Sequence, residues 1–323
     1  MKKLALHIGS HKTATTYLQN VFSRNADLLA AHDVLYPVNG QVYEAHHRLA
    51  WSLKDEENSD HHLEDIPVWQ EVIEEIERSN CSTAVLSTED FEWNRNIEKL
   101  ASLAKRFKIQ VVFYFRSPES YLESFYNQLV KDFPSREVRT IEQYVCEESL
   151  FFLDARHILS RWEAIFGHEA ITVRLFDQGK FEGGIEHDFL RCIGCKAKIR
   201  FKPAQLSVLH KTSLLPDALE FLRLTNPHLV EKSGRFQLVL KLAERSKANA
   251  AEYSTTSAGK LSFKARRNIL ARFEGRNRAV ARRYLERDEN PFSVDAAAVR
   301  EWDEKHPTGN AQLVARVAAL IGG

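Results

Sequence analysis

Lys3-Leu-Ala-Leu-His-Ile8-Gly9-Ser-His-Lys12-Thr-Ala-Thr15-Thr16 decides how the rest of the chain is read. Its first half is a short apolar run that stops at a glycine, which predicts a buried strand. After the turn, Tyr17, Leu18, Val21, Phe22, Leu28 and Leu29 fall at helical spacing, predicting a helix over 15–31. The same alternation repeats downstream. Strands are predicted at 84–87, 109–115 and 170–175, with helices over 68–76, 119–130 and 155–166 between them. Strands alternating with helices argue for a parallel sheet covered on both faces. From about Leu214 onward helical periods dominate, and no linker or internal repeat marks a boundary. One α/β domain over residues 1–323 is expected, its last part from about 214 mainly helical.

Composition narrows the class. Of 323 residues, 44% are hydrophobic and 28% charged, enough apolar content for a sizeable core and too much for a disordered chain. No apolar run reaches the ~18 residues that span a bilayer. The apolar stretch behind Lys2 and Lys3 ends at Ile8, short of a signal-peptide core, so a cytoplasmic chain is expected. Cys81 and Cys146 stand alone, and Cys192 and Cys195 form a C-x-x-C with no second pair or nearby histidine. Buried thiols at a helix end are expected there rather than a redox or zinc site.

The net charge of +1 hides an asymmetry. Ten acidic residues and no Lys or Arg lie between Asp55 and Glu77, whereas Lys264–Arg287 holds nine basic residues against Glu274 and Glu286. The acidic run reads as a solvated helix face. In the basic run, Ile269, Phe273, Val280 and Tyr284 share one helical stripe with Asn277, which would point inward and need a partner. Arg272, Arg276 and Arg283 share a neighbouring face, expected to cover an anion. Aromatic residues are too sparse there for a nucleic-acid reader, and none is expected as a partner.

Chemistry concentrates at two strand ends. Gly9 through Thr16 joins the first strand to its helix, where backbone amides and the helix N-terminus favour an anion. Lys12 adds a positive charge and Thr15 and Thr16 add hydroxyls, so the turn suits phosphate or sulfate. It is no Walker A loop, because the lysine precedes Thr15 by three residues and no Gly-Lys pair occurs. The strand at 109–115 ends in Arg116-Ser-Pro118, with Ser124 eight residues after Arg116. Arg116 at a strand's carboxyl end can grip a phosphate, unless it pairs with Glu119 or Glu123. Two anion sites suggest a ligand with two separated phosphate-like groups.

These motifs resemble those of sulfotransferases. LHIGSHKTATTYLQ is similar to their 5′-phosphosulfate loop, and VVFYFRSPESYLES to their 3′-phosphate motif, in the family's order. HKTSL at 210–214 and GRNRAVARRYL at 275–285 look more loosely like segments of bacterial members. The resemblance implies a P-loop-type three-layer α/β sandwich and a donor, 3′-phosphoadenosine 5′-phosphosulfate (PAPS), used without a metal. It implies that Gly9, His11, Lys12, Thr13, Ala14, Thr15 and Thr16 cradle the 5′ side, with Lys12 neutralising the leaving oxygen. Arg116 and Ser124 would hold the 3′-phosphate. Ala14 stands where the family usually has glycine, and a left-handed turn there would be strained. The family's late glycine-rich Arg-Lys-Gly loop is not visible.

A general base must take the acceptor's proton. Glu89, after the strand at 84–87, occupies the position of the family's catalytic residue, though burial would have to raise its pKa. The rival is the His46-His47 pair, with His46 carried as the second candidate; histidine suits base work near neutral pH. Residues 36–69, with Tyr43, His46, His47, Trp51, His61 and His62, are the expected acceptor-facing segment. A hydroxyl or amine, on a glycan or a lipid-linked sugar among other carriers, would receive the sulfuryl group. Two other classes stay open: a magnesium-dependent P-loop kinase, and a non-catalytic nucleotide-binding member of the fold.

Overall fold

The computed structural model describes residues 1–176, 181–207, 212–229, 231–248, 258–293, 313–314 and 317–318. Five strands form one wholly parallel sheet: β1 (Lys3–His7), β2 (Val34–Leu35), β3 (Thr83–Ser87), β4 (Lys108–Phe115) and β5 (Ile171–Leu175), in the order β2-β3-β1-β4-β5. The four expected strands are present with ends shifted by a residue. Leu4, Ala5 and Leu6 are all fully buried, so successive side chains on both faces of β1 are covered. The class is α/β with a central parallel sheet flanked by helices.

The helices are α1 (Thr15–Arg24), α2 (Ala26–Ala30), α3 (His47–Lys54), α4 (Pro67–Arg78), α5 (Pro118–Lys131), α6 (Ile141–Glu147), α7 (Ala155–Phe166) and α8 (Ile185–Cys192), then Pro216–Thr225, Lys232–Ala248 and Phe263–Leu285. The helix expected over 15–31 is broken at Asn25. Its side chain donates to Val21 O at 2.7 Å and Lys202 O at 3.0 Å and accepts from Lys202 N–H at 2.8 Å, bonds that compete with the helical ladder.

The chain divides into two compact units. The first holds Met1–Arg116, Asp154–Gln205 and Arg276–Glu289, including the whole sheet. Leu18, Val21 and Phe22 of α1 and Phe189 and Leu190 of α8 bury one sheet face together with Ala5, Val85, Val112 and Tyr114. The second holds Ser117–Leu153, Leu206–Gly275 and Asn290–Gly323 and is helical in its described parts. There Arg235, 2% exposed, donates to Val130 O at 2.8 Å and Asn226 Oδ1 at 3.1 Å, which satisfies a buried guanidinium. Among the described residues no helix is long and apolar enough to cross a membrane.

Candidate functional site

The β1–β4 ladder runs past the end of β1. Ile8 N–H reaches Val112 O at 3.1 Å and Tyr114 N–H reaches Gly9 O at 2.9 Å, so the turn departs from a fixed point. Gly9 has φ +105°, and a Cβ there would lie 3.2 Å from His11 N and 3.4 Å from Glu89 Cβ. Glycine suits that conformation, and the His11 amide would crowd any Cβ placed there. Thr13 is buried and its hydroxyl donates to Ser10 O at 2.5 Å, tying the turn across itself.

Helix α1 starts at Thr15 with Ala14 as its N-cap, and no side chain caps it; no acidic residue lies in its first turn. Its first amides and the positive end of its dipole therefore meet no carboxylate from the helix itself. Lys12 (φ 63°) and Ala14 (φ 61°) are both left-handed, the conformation that strains alanine. Ala14→Gly should raise unfolding stability by about 1 kcal/mol, measured by urea denaturation.

Arg116, the residue after β4, donates through Nη1 to the Lys12 carbonyl, and its guanidinium lies over the Phe176 ring, 5.6 Å from the centroid. The two motifs, 104 residues apart in sequence, thus meet at neighbouring strand ends. The chain crosses over β1 in passing from β3 to β4, which places this junction where open parallel sheets bind ligands. Glu123 pairs instead with Arg266, and Pro118 opens α5 at its first position. Ser124 is half-buried on α5, in the second unit.

The end of β3 carries a polar cluster that sequence reading found only in part. Glu89 is half-buried and accepts from Gln19 Nε2 at 2.8 Å. Burial pushes its carboxyl up, but the His11 charge and the Gln19 bond outweigh this and hold it below its ordinary value. The raised pKa that base work by Glu89 would require is therefore not met here. Glu92, 3% exposed, takes both the backbone N–H of His11 at 2.9 Å and its Nδ1 at 2.6 Å, while the His11 ring stacks on Trp93 at 4.0 Å. Asp90 accepts from Trp51 Nε1 at 2.6 Å and lies 3.1 Å from His47 Nδ1 and 4.0 Å from His11 Nε2. The acidic string Glu89-Asp90-Phe91-Glu92 was the available signal for these partners.

His46 is not placed to serve as a base. It is fully buried, its Nδ1 accepts from Ser87 N–H at 3.1 Å and its Nε2–H donates to Pro37 O at 2.9 Å. Both ring nitrogens are occupied, and burial pulls its pKa down to about 4. This corrects the expectation for His46, which instead clamps the 37–46 segment to the end of β3.

The basic stretch does not form the expected anion cover. Arg283 binds Glu163 through Nε at 2.9 and 3.0 Å, and Tyr284 donates to the same carboxylate. Arg276 lies 3.3 Å from Asp154, and Arg272 reaches Ser149 O at 3.4 Å. These guanidinium groups neutralise the protein's own carboxylates or bond its backbone. Asn277 is buried as expected, but its Nδ2 finds no partner among the described residues. Cys192 ends α8, and burial pushes its thiol up to about 11, the reverse of a reactive cysteine. His210 and Lys211 of the HKTSL segment lie outside the described residues.

No protein-family model matches the chain, and neither does any curated protein. Among solved structures it is similar to a sulfotransferase from Alicyclobacillus acidocaldarius, at 12% identity and a TM-score of 0.43, over 73% of this chain and 99% of that one. A likeness that loose carries no functional weight.

Proposed function

We propose that the chain is a sulfotransferase that binds PAPS at the Gly9–Thr16 turn and Arg116 and passes its sulfuryl group in line to an acceptor hydroxyl or amine. The supporting observation is the clasp of Arg116 on the Lys12 carbonyl at adjacent parallel strand ends. It brings a cationic turn, a helix N-terminus without a side-chain cap and a guanidinium fork to one place. That combination suits a ligand carrying two phosphate-like groups.

In this reading the turn amides from Lys12 to Ala14, with Thr15 and Thr16, hold the 5′-phosphate, while the His11 amide is taken by Glu92. Thr13 shapes the turn through Ser10 rather than touching the donor with its hydroxyl. Lys12 neutralises the charge that develops on the leaving phosphate oxygen, a contribution that grows toward the transition state. A guanidinium has five N–H donors, so one bond to the Lys12 carbonyl is compatible with gripping the 3′-phosphate. With EDTA present, 3′-phosphoadenosine 5′-phosphate should raise the melting temperature by several degrees at saturation, because a ligand bound only to the folded state stabilises it. Stabilisation by ATP with magnesium and none by the 3′-phosphorylated nucleotide would favour a kinase instead.

A further inference from the structure

The proposed transfer needs a proton acceptor, and of the candidates Glu89, His46 and His47 the first two are not well placed. His46 has both nitrogens engaged in the core, and Glu89 is a carboxylate stabilised by Gln19 and His11. From the geometry at the end of β3 we infer that His47 is the general base, positioned by Asp90. This inference rests on the sulfotransferase reading and names the residue that would act on the acceptor.

His47 is the first residue of α3. Its Nδ1 lies 2.8 Å from Thr88 Oγ1 and 3.1 Å from Asp90 Oδ2. Thr88 Oγ1 already accepts the Asp90 N–H at 3.2 Å, which fixes the hydroxyl beside that carboxylate. A proton on Nδ1 shared with Asp90 leaves the Nε2 lone pair as the basic site, and Nε2 has no hydrogen-bond partner among the described residues. Trp51, one turn along α3, stacks on the His47 ring at 5.5 Å with planes 6° apart, and its indole N–H pins the same Asp90. The ring is thereby held from its edge and from one face, the carboxylate–imidazole arrangement that makes an efficient base.

Asp90 also links His47 to the donor turn. Its other oxygen lies 4.0 Å from Nε2 of His11, which immediately precedes Lys12. The groups facing His47 are Asp90, Glu89 and Thr88 from the end of β3, Trp51 on α3, and His46 beside it in the chain. Burial pulls the imidazole down, but the bond to Asp90 and the charges of Glu89 and Asp90 outweigh it and raise its pKa. In the reaction, the acceptor O–H proton passes to Nε2 as the oxygen's electron pair forms the new O–S bond. The bond between sulfur and the 5′-phosphate oxygen breaks, and its pair leaves on that oxygen, opposite Lys12.

The test uses the full chain with PAPS, water standing in for the acceptor, and reads sulfate release. Binding of 3′-phosphoadenosine 5′-phosphate is measured in parallel. His47→Gln should keep nucleotide affinity and lower sulfate release by at least about tenfold. In the unsubstituted protein, release should rise with pH through a midpoint above the ordinary imidazole value, and Asp90→Asn should move that midpoint down. Unchanged release in His47→Gln, with Glu89→Gln inactive, would overturn the inference and leave the donor reading standing. A protein that binds the nucleotide yet leaves PAPS as stable as in buffer would also overturn it, since a base placed for a hydroxyl is placed for water. Absence of nucleotide binding in the unsubstituted protein would sink the donor reading and this inference together.

Discussion

Arg116→Ala should weaken binding of 3′-phosphoadenosine 5′-phosphate by about 30- to 150-fold while leaving AMP affinity almost unchanged. The size follows from losing a charge-assisted bond to phosphate, about 2–3 kcal/mol. The selectivity follows from the assigned contact, because AMP lacks the 3′ group. Arg116→Lys should recover only part of the loss: an ammonium keeps the charge but not the fork that can hold the Lys12 carbonyl and a phosphate together. Titration calorimetry on the three proteins with both nucleotides gives the comparison. Equal losses for the two nucleotides would place Arg116 in the architecture of the turn and not on a 3′-phosphate.

Acid should unfold this protein through two histidines. His7 and His46 are both fully buried, and burial pulls each from an ordinary 6.5 down to about 4. Between those values the unfolded chain binds protons that the folded one refuses, so stability rises with pH across the window and is lost as pH falls through it. Each contributes about 3 kcal/mol of that loss by pH 4, so the pair approaches the whole stability of an ordinary domain. Glu89 and Asp90, both held below the ordinary carboxylate range, act in the same direction further into acid. Urea denaturation at pH 7, 5.5 and 4.5 should show a steep decline in unfolding free energy. A flat profile over that range would mean the two rings are not held neutral.

Much of the scaffold was legible because burial on both faces makes a strand a continuous apolar run, as in Lys3–Ile8 and Ile109–Phe115. Strand β2 was not, since Val34–Leu35 is too short to show any period. The anion-binding turn was legible from residue type alone: glycine at a strand's end, a lysine, then threonines opening a helix. The left-handed backbone at Lys12 was not, because nothing in its residue type marks positive φ, and at Ala14 the hint came only from the glycine usual in the family it resembles.

The choice between His46 and His47 lay beyond sequence for a similar reason. Adjacent residues where a loop enters a helix point in different directions, and tertiary contacts turned His46 into the core and left His47 on Asp90. The Arg-rich helix misled because its partners are remote: Glu163 lies 120 residues from Arg283, and helical spacing reveals a shared face without showing what that face meets.

The central claim, a donor site for a 3′-phosphorylated adenine nucleotide, is tested most directly by calorimetry of 3′-phosphoadenosine 5′-phosphate against AMP and ATP in EDTA. A strong metal-independent preference for the 3′-phosphorylated nucleotide is predicted. Equal affinity for AMP, binding of ATP only when magnesium is restored, or no binding at all would contradict it.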